Sequence, residues 1–369
     1  MSLRIIGAAL ALCGALLAGG ARAADAPVPE VAPGGYELGR GLRLGDSGVT
    51  LGGYATAEFR SLQGTREEFK SSHASAFIWW EGLERAKVFA EFDLENLISR
   101  RSDDHDRDHD DDNARRLSVE RLYLDVAFSD AFTGRVGKFL TPIGRWNLVH
   151  ADPLVWTTTR PLLTQSVVPR NVTGLMASGS LPWVSYSVYA SNGTELDADP
   201  RQDLFSRVRG LRLVLPAGRG VELGVSLARY AQRSARAQTR SLAGVDILWT
   251  VKRCEFSAEW LRSGGGIGPD YLEPQPRDDG PPFPPVQDNV GTTRGSYLQA
   301  VLPLVGELFV VGRMEWLRDA RAVSTTRQGV LGLAWRPNPA TSLKAEFVEP
   351  GGAGKGQPKG FVASVSVLF

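Results

Sequence analysis

The chain ends on Phe361-Val362-Ala363-Ser364-Val365-Ser366-Val367-Leu368-Phe369, and the alternation inside this stretch sets the reading of everything before it. One parity is Phe, Ala, Val, Val, Phe; the other is Val, Ser, Ser, Leu. Successive side chains of a strand point to opposite faces, so the first parity makes one fully apolar face. A half-buried strand of a soluble sandwich would show the same alternation. A membrane barrel would show it too, with the apolar parity against lipid, and it would also favour the aromatic at the terminus.

The same period recurs along the chain. Val49, Leu51, Ala55, Ala57 and Phe59 alternate with Thr50, Thr56, Glu58 and Arg60. Ala86, Val88, Ala90, Phe92 and Leu94 alternate with Lys87, Phe89, Glu91, Asp93 and Glu95, and Leu122, Leu124, Val126 and Phe128 with Arg121, Tyr123 and Asp125. Val245, Ile247 and Trp249 face away from Asp246 and Thr250, as Leu343, Ala345 and Phe347 do from Lys344 and Glu346. The charged face persists from strand to strand, and the sequence offers no amphipathic helix to cover the apolar one. Lipid is the cover that remains. No continuous apolar run after the N-terminus is long enough for a spanning helix, which takes about 20 residues.

A pass along the chain predicts strands near 48–60, 72–82, 85–96, 115–128, 132–141, 171–180, 183–191 and 205–215, and then near 220–231, 238–251, 254–263, 294–303, 307–319, 325–336, 341–349 and 360–369. These are sixteen, an even number, as a single-chain bacterial barrel has. Short connectors alternate with long ones (61–71, 97–114, 142–170, 192–204, 232–237, 264–293, 320–324, 350–359). Short periplasmic turns and longer external loops are the rule for such barrels. The expected fold is therefore all-β: a closed antiparallel transmembrane β-barrel.

The N-terminus predicts the compartment. Arg4, the apolar run Ile5–Leu17 and the small-x-small site Ala21-Arg22-Ala23 have the layout of a cleaved secretory signal peptide. Cys13 as a lipid-acylation site is the rival, but the apolar stretch before it is brief and Leu12 is a poor preceding residue. The expected organisation is a signal peptide at 1–23, an irregular periplasmic segment at 24–45 and the barrel at 46–369. Past the signal Cys254 is the one cysteine, so no internal disulfide framework holds the fold. The expected location is the outer membrane of a Gram-negative cell.

Several stretches resemble the phosphate-selective porin O/P family. Gly137-Lys138-Phe139-Leu140-Thr141-Pro142-Ile143-Gly144 is similar to that family's G-x-F-x-x-P-F-G stretch, with Ile143 in place of the usual phenylalanine. Tyr189-Ala190-Ser191-Asn192-Gly193-Thr194 resembles its strand end running into an Asn-Gly loop. Gly244-Val245-Asp246 with Ala258-Glu259-Trp260, and Gly332-Leu333-Ala334 before Pro337-Asn338-Pro339, resemble its later strand pairs. The resemblance implies a sixteen-stranded porin, often trimeric, passing small hydrophilic solutes by diffusion. Phosphate selectivity does not carry over, because the sequence lacks a dense lysine cluster. Phe369 likewise looks like the terminal signal read by the barrel-assembly machinery.

Selectivity in such pores comes from charge on the inner parity. The expected inward set is Lys87, Glu91, Asp93, Arg121, Asp125, Arg212, Asp246, Glu259, Arg313, Glu315, Lys344 and Glu346, most of them paired across the wall. The long segment 145–170 is too apolar and aromatic for a freely hydrated loop. Packed against the inner wall it would present Arg145, His150, Asp152 and Arg160 to solutes; covering the barrel rim or a trimer contact is the alternative. Arginine outnumbers lysine 35 to 7, which suits bidentate contacts to anions and gives a slight anion preference, although genomic composition would produce the same excess.

The run Asp103–Asp112, DDHDRDHDDD, falls in an external loop and reads as solvated charge. Asp104, His105, Asp108 and His109 are its weak metal-ligand candidates, since His105 and His109 would share a face only on a helix, which aspartate runs disfavour. No G-x-S-x-G, H-E-x-x-H or P-loop pattern occurs, so no enzyme is expected and no cofactor. The expected partners are outer-membrane lipid and lipopolysaccharide, the assembly machinery, a homotrimer and small solutes, with no nucleic acid. The rival class is a barrel acting as a sheath around an exported electron-transfer protein.

Overall fold

The computed structural model describes residues 34–95, 99–101, 116–149, 151–168, 170–197, 205–232, 239–264, 292–318, 325–351 and 358–369. The expected signal peptide and the acidic run, with Asp104, His105, Asp108 and His109, lie outside the described residues.

Sixteen long strands follow one another around a closed antiparallel sheet. They are β1 (Val49–Leu62), β2 (Glu68–Leu83), β3 (Ala86–Glu95), β4 (Arg116–Ser129), β5 (Phe132–Leu140), β6 (Asn171–Leu181), β7 (Val184–Ser191) and β8 (Phe205–Gly218). The circuit continues with β9 (Val221–Gln232), β10 (Arg240–Val251), β11 (Cys254–Gly264), β12 (Thr292–Val305), β13 (Leu308–Arg318), β14 (Thr326–Asn338), β15 (Thr341–Gly351) and β16 (Gly360–Leu368). At one end seven connections are two residues long, the tight hairpins that antiparallel neighbours allow. Lys252, at φ 53°, is one such turn residue: the left-handed backbone there matches the twist of the flanking strands.

Closure is made by the segment whose alternation opened the reading. β16 pairs antiparallel with β1 from Gly360↔Leu62 to Leu368↔Tyr54. Beyond it, Phe369 and Gly53 exchange backbone hydrogen bonds of 2.8 Å in both directions. Where β16 runs out, a short strand at Gly41–Arg43 takes over, pairing Leu42↔Leu51 and Arg43↔Thr50. That short strand pairs in turn with Tyr36–Glu37. Part of the lead-in expected to be irregular is thus a small hairpin, because the lower edge of β1 would otherwise be unpaired.

The wall has inverted polarity. Val362, Ser364, Ser366 and Leu368 are buried inside, while Phe361, Val365 and Phe369 are exposed outside. Elsewhere the outward parity carries Leu175 at 62% exposure and Leu331 at 65%, and the inward parity carries Glu91 at 0% and Arg313 at 1%. A water-soluble sheet arranges these the other way round. Hydrocarbon around the barrel is the environment in which apolar exposure costs nothing and every backbone polar group must be paired within the wall.

Two expectations change. β2 begins at Glu68 rather than near 72, because β1 runs on to Leu62 and its Arg60 is opposite Glu68. A three-residue strand at Ser99–Arg101 pairs with Glu68–Lys70 and prolongs the wall above β3. Among the described residues the chain also forms a short α-helix, α1 (Leu162–Val167), inside the barrel rather than on its surface.

The inverted wall predicts a directional mutation. Leu331→Arg, placing a guanidinium on the outer face at mid-strand, should destabilise the barrel by about 2–4 kcal/mol. Denaturant unfolding from lipid vesicles, followed by tryptophan fluorescence, measures this; an unchanged midpoint would mean that this face does not meet hydrocarbon.

Candidate functional site

Between β5 and β6 the chain does not leave the barrel; it turns into it. The neck is tied by Thr141 N–H donating to the Arg170 carbonyl at 2.9 Å, and by Asn147 Nδ2 donating to the carbonyls of Thr141 (2.8 Å) and Arg170 (3.1 Å). Gly144 makes the turn at φ 68°. A side chain there would be strained and its Cβ would overlap the Glu259 carboxylate, so only glycine serves.

From the neck the segment crosses the inner wall strand by strand, held by carboxylates that accept its backbone N–H groups. Gly144 N–H donates to Ser226 Oγ of β9 at 3.1 Å. Glu259 of β11 accepts from the N–H groups of Arg145 (3.1 Å) and Trp146 (3.3 Å). Glu315 of β13 accepts from Leu162 N–H at 2.6 Å, at the start of α1, where the helix dipole favours a negative charge. Glu346 of β15 accepts from Thr158 N–H (3.0 Å) and Thr159 N–H (2.7 Å), and Thr158 Oγ1 meets Ser364 Oγ of β16 at 2.7 Å.

Cations of the wall hold the same segment by its carbonyls. Arg313 pairs with Glu315 at 2.8 Å, donates to the carbonyl and hydroxyl of Thr159 at 2.9 Å each, and also donates to the Thr157 hydroxyl. Arg336 of β14 donates to the carbonyls of Leu154 (2.8 Å) and Val155 (3.0 Å) and lies 3.6 Å above the Trp156 ring. Lys344 Nζ donates to the Asp152 carbonyl at 2.6 Å. A loop with no regular strand partner thereby satisfies its buried backbone on wall side chains.

Apolar contacts complete the packing. Trp146, Leu162, Leu163 and Val167 are buried against Tyr189, Tyr230, Leu242, Leu261, Tyr297 and Leu317 of the wall. Burying each such side chain contributes roughly 1.5–3 kcal/mol, which explains why this long connector is apolar. The interior is therefore a partial core and not an empty bore.

The inward set divides by what the segment covers. Arg212–Asp246 (2.6 Å), Arg313–Glu315 and Arg121–Glu91 are buried ion pairs. Asp93 pairs with His73 at 3.1 Å and also accepts from Ser75. Charges still reached by solvent include Asp125 with Arg135 (2.6 Å), Arg145 with Glu222 (2.8 Å), Asp152, Arg160 and Arg170. Lys87 sits at the two-residue-turn end, exposed and paired with Glu81 at 2.6 Å. His150 lies outside the described residues. Burial alone would push the Asp152 carboxyl up, but His73, Lys344, Arg160 and a hydrogen bond from Thr56 together hold it below the usual carboxylate range.

The sequence pattern missed Arg336, Glu222 and His73, although continued strand parity points to each. Thr157 and Thr159 gave no signal, since their role depends on where the segment lies. Among the described residues no cluster of His, Cys, Asp and Glu could hold a metal ion.

Comparison with known proteins gives the same architecture. No protein-family model matches the sequence. An uncharacterised protein of Aquifex aeolicus is 35% identical over 83 residues, which is 22% of this chain and only 19% of that relative. Solved structures match over far more of the chain. An anion-selective porin from Comamonas acidovorans superposes with a TM-score of 0.59 at 12% identity, over 87% of this chain and 99% of that one. OmpF of Salmonella typhi, in complex with daunomycin, gives 0.60 at 8% identity, over 88% and 98%. The trimer form of OmpT, an outer-membrane protein of Vibrio cholerae, gives 0.56 at 9% identity, over 87% and 99%. At these identities the likeness is one of fold.

The anchors predict two outcomes. Gly144→Ala should lower the denaturant midpoint, through the strained backbone and the clash with Glu259. Arg313→Ala should do so more strongly, since breaking a buried pair and stranding its partner costs about 3–5 kcal/mol. The Arg313→Ala loss should shrink when Glu315 is changed to Gln in the same chain.

Proposed function

We propose that the chain is a porin-type channel of the outer membrane, passing small hydrophilic solutes through a narrow lumen and slightly favouring anions. The observation that carries this is the inward segment between β5 and β6, which packs on the inner wall and narrows the barrel. The solvent-reached guanidinium groups along its path each have an acidic neighbour: Arg145 beside Glu222 at 2.8 Å, Arg170 beside Glu120 at 3.6 Å and Arg160 near Asp152. Guanidinium groups in such a lumen attract anions and bind their oxygens bidentately. The anion-selective porin among the similar folds and the trimeric form of another support anion preference and a homotrimer.

The finer likeness to the O/P porins rests on Gly137–Gly144, the stretch that turns β5 into the lumen. The sheath reading has less support: the interior is already occupied by the chain's own segment, which leaves little room for a folded electron-transfer partner.

Planar-bilayer recording of the purified protein tests the proposal. Stepwise ion-conducting openings are expected, with a reversal potential in a salt gradient on the anion side. Arg160→Glu should shift that potential toward cations. A barrel that never conducts would overturn the channel reading, and an unmoved potential would remove Arg160 from the pathway.

A further inference from the structure

The outer wall carries a feature that a diffusion channel does not need. Near the long-loop ends of β8 to β14 the outward parity holds exposed Arg209, Arg229, Arg262, Arg294, Arg318 and Arg327. Strand register sets several of them side by side: Arg209 opposite Arg229, and Arg262 opposite Arg294, which is itself opposite Arg318. Like charges directly opposite in a sheet destabilise it. No carboxylate of the described residues is paired with any of the six, whereas Arg121, Arg135, Arg212 and Arg313 of the inner wall are each paired with one. At the same level β1, β2, β4, β6 and β7 present Phe59, Phe69, Leu117, Leu175 and Val188 outward, so among the described side chains the row lies on the β8–β14 side.

Below this row, on the same strands, the outer wall is hollowed. Ala258, Ala300, Gly312 and Gly329 floor an apolar depression of about 750 Å³, with Trp249 and Phe347 among its walls. A Cβ built on Gly312 meets nothing within 4 Å. The floor lies four to six residues from the arginines along β11, β12 and β13, about 13–20 Å at strand rise. Between the two levels Trp260 and Trp316 flank Ser296 on the outward face, the residue type that sits at a membrane interface.

We propose that this wall binds a phosphorylated, acylated glycolipid of the surrounding leaflet, with its phosphates across the arginine row and an acyl chain in the hollow. A soluble anion would have no use for the hollow. A second copy of this chain presenting its β1–β7 wall would bring apolar side chains, not carboxylates, to the arginines. The inference rests on the barrel lying in a membrane and is separate from whether it conducts.

The test is binding of a fluorescent bisphosphorylated lipid A to the full-length protein in detergent micelles. Arg262→Gln/Arg294→Gln/Arg318→Gln should weaken binding on the order of 100-fold, and lipid A stripped of phosphate should bind as weakly. Gly312→Leu, which fills the hollow and leaves every arginine in place, should weaken it about three- to tenfold. Both variants should keep the heat-modifiable gel mobility of the folded barrel and the wild-type bilayer conductance. Wild-type affinity in the triple variant overturns the proposal. So does full displacement of the lipid by millimolar inorganic phosphate, which would mark a bare anion patch. A protein that binds lipid A and never conducts would overturn the channel reading alone.

Discussion

In hydrocarbon no water is present to pair a backbone N–H or C=O, so a sheet that crosses a membrane cannot keep an open edge. The rest of this structure depends on that constraint. The pairing of β16 with β1 removes both edges at once, and the Gly41–Arg43 strand continues the pairing where β16 ends. Once the ring is closed, single-residue alternation decides everything on either side of the wall: apolar side chains to the outside, charges to the inside.

Closure also creates an interior that must be filled or hydrated. About sixteen strands enclose more space than wall side chains alone can occupy. The chain resolves this by folding the β5–β6 connector inward. The connector brings apolar side chains, which pack on wall tyrosines and leucines, and backbone polar groups, which are met by Glu259, Glu315, Glu346, Arg313, Arg336 and Lys344. Several charges that look like selectivity groups from the sequence are thus anchors: Arg313 and Glu315 hold each other as well as the segment, and Glu259, Glu346 and Lys344 bond the segment's backbone. What the segment leaves to solvent is the part of the lumen lined by Asp125, Arg135, Arg145, Asp152, Arg160 and Arg170.

The two surfaces of the wall divide the arginine excess between them. Inside, Arg121, Arg135 and Arg212 are paired with wall carboxylates, Arg336 holds the segment, and Arg313 does both. Outside, on β8–β14, they stand beside one another above an apolar hollow. A composition count merges these populations, and only strand parity and register separate them. The same residue type therefore serves internal packing on one face and contact with the surroundings on the other.

The strand period was legible because a barrel strand is buried by lipid on one face and by polar lumen on the other, so its pattern is written one residue at a time. The positions of the seven short turns were legible for the same reason: the period breaks there. The start of β2 was not, because Glu67, Glu68 and Lys70 read as a polar loop until Arg60 and its neighbours are seen across from them. The apolar content of 145–170 announced a packed segment, and the sequence left open where it packs. Local alternation thus determined the fold, the sidedness of each strand and the even count. The path of the inner segment, the division of charges into anchors and solvent-reached groups, and the side-by-side arginines were decided only by the tertiary structure. Each of those depends on which strands stand opposite one another and in what register, and no single strand carries that information.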